Sequence, residues 1–163
     1  MFRRFLAILT IVFVPFALTE AFAGQARNDV TAVQDNDREM NAAIARARQT
    51  LDHYWKAVNS KDPKITQPTI KVLITDKHGS EHIWLVQVRP HGKGYIGLIS
   101  NKPVVVKKVS LGQPYQFTKA EVTDWMYRKN GKIYGAYTLR VLVKRMPKEQ
   151  AAYYRRILAY QPK

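Results

Sequence analysis

Two histidines, His78 and His82, stand four residues apart with Asp76 and Glu81 beside them. Imidazole nitrogens and carboxylate oxygens are ligands that zinc or copper accepts, and histidines facing each other across a hairpin can chelate a metal. The set is thin, because the next histidine, His91, must be brought in by the fold. The polarity of a turn explains the same residues without a metal. A second chemistry would use His82, Glu81 and Asp124 as the acid, base or metal-binding groups of a small hydrolase. It requires side chains from separate segments to meet in one cleft. Glu121 and Asp124 also form a carboxylate pair, but closeness in sequence does not supply the separation that glycosidic chemistry needs. A Lys or Arg partner or backbone N–H groups in its turn account for Asp124 better.

Other catalytic patterns fail on context. Gly92-x-Gly94-x-x-Gly97 has the spacing of a dinucleotide-binding loop. That loop must open a helix whose first turn receives the pyrophosphate. Here Tyr95–Ile99 continues as a strand and Asn101-Lys102-Pro103 would stop a helix. No Gly-x-Ser-x-Gly elbow is present, and the absence of Cys removes any thiol nucleophile. No cofactor is predicted. The segment Trp125-Met126-Tyr127-Arg128-Lys129 sets rings beside cations, as single-strand nucleic-acid surfaces do, and the same chemistry would suit an anionic glycan or an acidic protein.

The elements that would position these residues are read from periodicity. Asn36 with Glu39 has capping-box spacing, and Met40, Ile44, Ala47, Leu51, Tyr54 or Trp55, and Val58 recur at helical steps. One amphipathic helix is predicted over 37–58, ended by Asn59–Pro63. Strands follow at 69–75, at 81–89 with His82, Trp84, Val86 and Val88 on one face, at 95–100 and at 104–109. A short strand is predicted at 115–118 and one helical turn at 119–123. Asn130-Gly131 is a strong hairpin signal favouring a type I′ turn between strands at 125–129 and 132–144. Alternation along the longer strand then gives a core face of Ile133, Tyr137, Leu139, Val141 and Val143. The opposite face collects Trp125, Tyr127 and Tyr134, ringed by Lys129, Lys132 and Arg140. Either a helix covers that face or it is a basic, aromatic binding surface. A last helix is predicted over 147–158, with Pro147 at its start. The fold class is α+β: an N-terminal amphipathic helix, an antiparallel sheet of about five to six strands and a short C-terminal helix.

Location and charge narrow the partners. Met1-Phe2-Arg3-Arg4, the uncharged run Phe5–Leu18 and Ala21-Phe22-Ala23 have the form of a signal peptide, with cleavage predicted after Ala23. The run is shorter than the ~20 residues a membrane span needs, and Pro15 interrupts it. Without Cys, a lipoprotein anchor is excluded and disulfides cannot staple the fold. The reading is a signal peptide at 1–23, a flexible leader at 24–34, one domain at 35–146 and a basic tail at 147–163. The 163 residues carry 27 Lys and Arg against 12 Asp and Glu. Residues 24–101 hold 11 basic against 8 acidic side chains, residues 102–163 hold 14 against 3, so the second half projects the field. For a protein sent to the periplasm or beyond, the expected partners are an acidic protein, an anionic glycan or lipid headgroups. Export argues against nucleic acid. Charge held only for solubility is the competing explanation.

Several segments in order carry a family resemblance: 35–44 (DNDREMNAAI) with Tyr54-Trp55, 80–84 (SEHIW), 97–103 (GLISNKP), 124–127 (DWMY) and 135–140 (GAYTLR). Together they resemble the YegJ-like family, a bacterial domain of unknown function. The resemblance implies a bacterial source and a compact α+β domain over roughly 35–145. It carries no activity, cofactor or catalytic residue, and the tail after Met146 lies outside it.

Overall fold

The carboxylate of Asp37 accepts the Met40 backbone N–H at 3.1 Å, capping helix α1 (Arg38–Gln49). The cap is thus Asp37 itself. The structure, a computed structural model, describes residues 37–159. The expected signal peptide, the flexible leader, Asn36 and residues 160–163 lie outside them. Within 37–159 it is an α+β fold of four α-helices and a six-stranded antiparallel sheet.

The single helix expected over 37–58 is two. Thr50, at φ −99° and ψ 10°, interrupts it, and α2 (Leu51–Asn59) follows. The Thr50 hydroxyl bonds back to the Arg46 carbonyl at 2.8 Å and receives the indole N–H of Trp125 at 3.2 Å. A tertiary partner therefore holds the break. Met40, Ala47, Leu51 and Tyr54 of the expected stripe are buried.

The strands are β1 (Ile65–Asp76), β2 (Gly79–His91), β3 (Gly94–Ile99), β4 (Pro114–Phe117), β5 (Val122–Lys129) and β6 (Lys132–Gly135). They lie in the order β4-β3-β2-β1-β5-β6. The glycine-spaced segment is therefore a turn running into β3, with no helix behind it. Ile70, Val72, Ile74, Ile83 and Leu85 have no exposed surface and pack under α1 and α2. Each contributes roughly 2 kcal/mol by leaving water.

The sheet must curl. Flat, β4 and β5 would stand about 19 Å apart, four intervals of ~4.8 Å. Yet only Thr118 and the single 3₁₀ turn Lys119–Glu121 connect them, a link reaching roughly 12 Å. Two bulges supply the curvature. Gln67 and Gln87 both have φ 51°, at the register breaks Thr66/Thr69 and Val86/Arg89. The second bulge turns Val88 into the core, so it leaves the face of His82, Trp84 and Val86 on which alternation had placed it.

Two further expectations are corrected. Residues 104–109 are not a strand. They follow an irregular path held by two carboxylates: Glu81 accepts the N–H groups of Val104, Val105 and Val106, and Asp76 those of Lys107 and Lys108. The strand expected over 132–144 ends at Gly135. The Asn130-Gly131 turn forms as expected, with φ 50° and 74° and Lys129 paired to Lys132. After it, Gly135 (φ 75°) and Ala136 (φ 53°) turn the chain away, and Tyr137–Val143 is helix α3. Ile133, Tyr137, Leu139, Val141 and Val143 therefore form no common strand face. Helix α4 (Lys148–Ile157) packs on α3 through Val143, Ala151 and Tyr154.

Candidate functional site

Asp124 lies on β5 with no exposed surface. Its carboxylate accepts the N–H of Trp125 at 2.8 Å, of Tyr137 at 3.0 Å and of Thr138 at 2.8 Å, and the Thr138 hydroxyl at 2.5 Å. It thereby serves the open donors at the start of α3. Lys71, opposite it on β1, is 6% exposed; its ammonium meets Thr138 Oγ1 at 2.9 Å and lies 4.6 Å over the Trp84 ring. His82 Nδ1 lies 3.0 Å from Thr123 Oγ1. Burial, then the charges of Lys71 and Arg48, lower its pKa to about 4, so the ring is neutral near pH 7.

The structure does not assemble His82, Glu81 and Asp124 into one site. Glu81 points to the 104–106 backbone, Asp124 serves α3, and His82 bonds to Thr123. His78 sits exposed in the β1–β2 turn, where its backbone N–H bonds Asp76 at 2.7 Å. Among the described residues, no three His, Cys, Asp or Glu side chains come together as metal ligands.

The aromatic face does form. Trp125 and Tyr127 stack at 6.0 Å, and Tyr127 and Tyr134 at 5.1 Å with planes 6° apart. Its inner end is covered: Trp125 is buried under α1, donating its N–H to the Ala47 carbonyl at 3.0 Å, while Tyr127 and Tyr134 are half-buried. The surrounding cations are engaged. Lys129 pairs with Asp62 at 2.9 Å, and Lys132 donates to the Arg156 carbonyl at 2.6 Å. Arg140 lies on α3, not on a strand, and joins the Gly135 and Ala159 carbonyls.

A cleft that sequence reasoning missed opens where the curled sheet meets its connector. It is an open depression of about 340 Å³ between Arg48, Leu73, Thr75, Lys108, Tyr115, Ala120 and Glu121. Arg48 donates its Nε to the Val122 carbonyl at 2.7 Å. Tyr115 bonds Glu121 at 3.2 Å, and burial, then the Glu121 charge, push its pKa up to about 12. These residues come from α1, β1, the irregular loop, β4 and the β4–β5 link, so no local pattern could have grouped them.

Charge is segregated by depth. Residues 37–159 contain 23 Lys and Arg and 9 Asp and Glu. Eighteen of those cations are exposed, but only Glu39, Asp52 and Glu149 among the acids. Asp76, Glu81, Glu121 and Asp124 instead accept backbone N–H groups. Among the described residues no helix is long and apolar enough to cross a membrane.

Comparison with known proteins places this architecture. The chain is 36% identical over 144 residues to the uncharacterized protein YegJ of Escherichia coli (strain K12), covering 88% of this chain and 92% of that protein. It is 24% identical over 126 residues to a Neisseria meningitidis serogroup B protein named "Putative ankyrin repeat protein", covering 72% of this chain and 50% of that one. No solved structure matches significantly. The family described as "Uncharacterized protein conserved in bacteria (DUF2314)" matches residues 37–159, which extends the resemblance through α4, beyond Met146. From Asp37 to Ala159, then, the chain belongs to this bacterial family of YegJ-like domains of unknown function.

Proposed function

We propose that the protein is a non-enzymatic binding module of the bacterial cell envelope, delivered there by its cleaved leader and held to anionic partners by its cationic surface. The observation that carries this reading is the segregation of charge: among the described residues, eighteen exposed cations stand against three exposed carboxylates. Solubility needs net charge, but it does not need acids turned inward onto backbone amides. The engagement of His82, Glu81 and Asp124 in separate structural bonds favours binding over hydrolysis. Within the surface, the half-buried Tyr127–Tyr134 stack lies beside Lys129 and Lys132.

Two measurements test it. Mass spectrometry of protein from the periplasmic fraction is expected to show Gly24 as the first residue; recovery only from the cytosol with residues 1–23 attached overturns the envelope placement. Retention on heparin and on phosphatidylglycerol vesicles is expected to fall at least tenfold between about 0.05 and 0.3 M salt. Retention on neither polyanion, or retention indifferent to salt, overturns the binding reading.

A further inference from the structure

We infer that the cleft between β1 and the β4–β5 link is a binding site for a small monocarboxylate with an apolar body, with Arg48 as its anchor.

The guanidinium is oriented before any ligand arrives. Its Nε is fixed to the Val122 carbonyl at 2.7 Å, and among the described residues its two terminal nitrogens make no hydrogen bond. Those nitrogens form the end-on fork that matches two carboxylate oxygens. Arg48 is only partly exposed, which strengthens such a pair relative to one in open water. Lys108 supplies a second cation at the mouth, its ammonium 5.8 Å from the Tyr115 ring centre.

The remaining walls select the rest of the ligand. Leu73 is 36% exposed, although it lies in the middle of the longest-paired part of β1. With Ala120 and the Tyr115 ring it gives the cleft an apolar side. The volume of about 340 Å³ falls at the small end of ligand pockets. Glu121 limits the charge. Both its oxygens are held, by Tyr115 on one side and Thr118 on the other, but its negative charge stays in the wall. Two cations and one anion leave a single positive charge, which suits a monoanion better than a phosphate dianion.

This site is distinct from the polyanion surface and its test separates the two. Sodium octanoate is titrated into the chain Gly24–Lys163 and followed by amide chemical shifts and calorimetry. Expected are saturable binding and shifts centred on Leu73–Thr75 and Ala120–Glu121. Arg48→Gln should weaken binding at least tenfold, Lys108→Gln a few-fold, and Lys148→Gln, on distant α4, not at all. Leu73→Glu, a change at an exposed position, should abolish octanoate binding and leave heparin retention intact. Octyl phosphate should bind more weakly than octanoate, and octanol weakest. Non-saturable binding, shifts elsewhere, or equal weakening by Arg48→Gln and Lys148→Gln overturns the assignment.

Discussion

Lys71 and Asp124 sit opposite each other in the β1–β5 register, both buried, with the Thr138 hydroxyl between them. That hydroxyl accepts from the Lys71 ammonium and donates to Asp124, so one side chain from α3 bridges two buried charges. Removing the Asp124 carboxylate takes the acceptor from three buried N–H groups and the Thr138 hydroxyl and withdraws the charge facing Lys71, which costs about 3–5 kcal/mol. Asp124→Ala is expected to lower the unfolding free energy by that much in urea titration. Thr138→Val keeps the shape but deletes the bridge, and should cost about 1–3 kcal/mol. Asp124→Ala proving milder than Thr138→Val contradicts the arrangement.

Acid should weaken the fold through His82. Its native pKa of about 4 lies below its ordinary 6.5. In that window the unfolded chain binds a proton that the native ring refuses, so stability is complete above about pH 6.5 and declines toward pH 4. The full loss is at most about 3 kcal/mol. Asp37, held at about 2 by its bond to Arg145, stays ionised throughout. The urea midpoint of His82→Gln should vary less between pH 4 and 6.5 than that of the unchanged protein; equal slopes would exclude this origin.

The two carboxylates that hold the 104–108 path should control its opening. Glu81 serves three backbone N–H groups and Asp76 two. Glu81→Ala leaves the Val104, Val105 and Val106 amides without acceptors. Hydrogen exchange there is expected to accelerate at least tenfold, with about 1–3 kcal/mol lost overall. Unchanged exchange in those amides would show that other contacts hold the segment.

Backbone conformation predicts opposite signs at two positions. At Gly135, φ is 75° and a Cβ would come within 2.5 Å of Trp125 Cε3, so Gly135→Ala should prevent folding or shift the melting point down sharply. Lys61, exposed just past α2, has φ 55°. Lys61→Gly relieves a left-handed side-chain conformation and should stabilise by about 1 kcal/mol. A calorimetric scan of both variants reads the two effects.

What local pattern dictates was legible: the buried positions Met40, Ala47, Leu51 and Tyr54 of the helical stripe, the β1 and β2 strands, the Asn130-Gly131 turn. The segment Tyr137–Val143 misled because its β-branched residues favour a strand. It becomes helical because Gly135 turns the chain and Asp124, distant in sequence, captures the first amides. The 104–109 run misled in the same way, its amides going to Glu81 and Asp76 instead of a neighbouring strand. Of the residues singled out for chemistry, Asp124 and Glu81 proved to serve backbone amides. Trp125, Tyr127 and Tyr134 do share a face, since alternation places them together. Arg48 gave no local signal, because its neighbours in the cleft arrive from four separate segments.

Both borders of the sheet are shielded from a foreign strand. Along β6, Leu158 bridges Ile133 in parallel and the Ala159 N–H bonds the Ile133 carbonyl at 2.8 Å, so the C-terminal segment occupies the docking line. At the other border, β4 has four residues and begins with Pro114, which has no N–H to offer. Copies brought side by side therefore meet few open backbone groups along which one sheet could extend into the next.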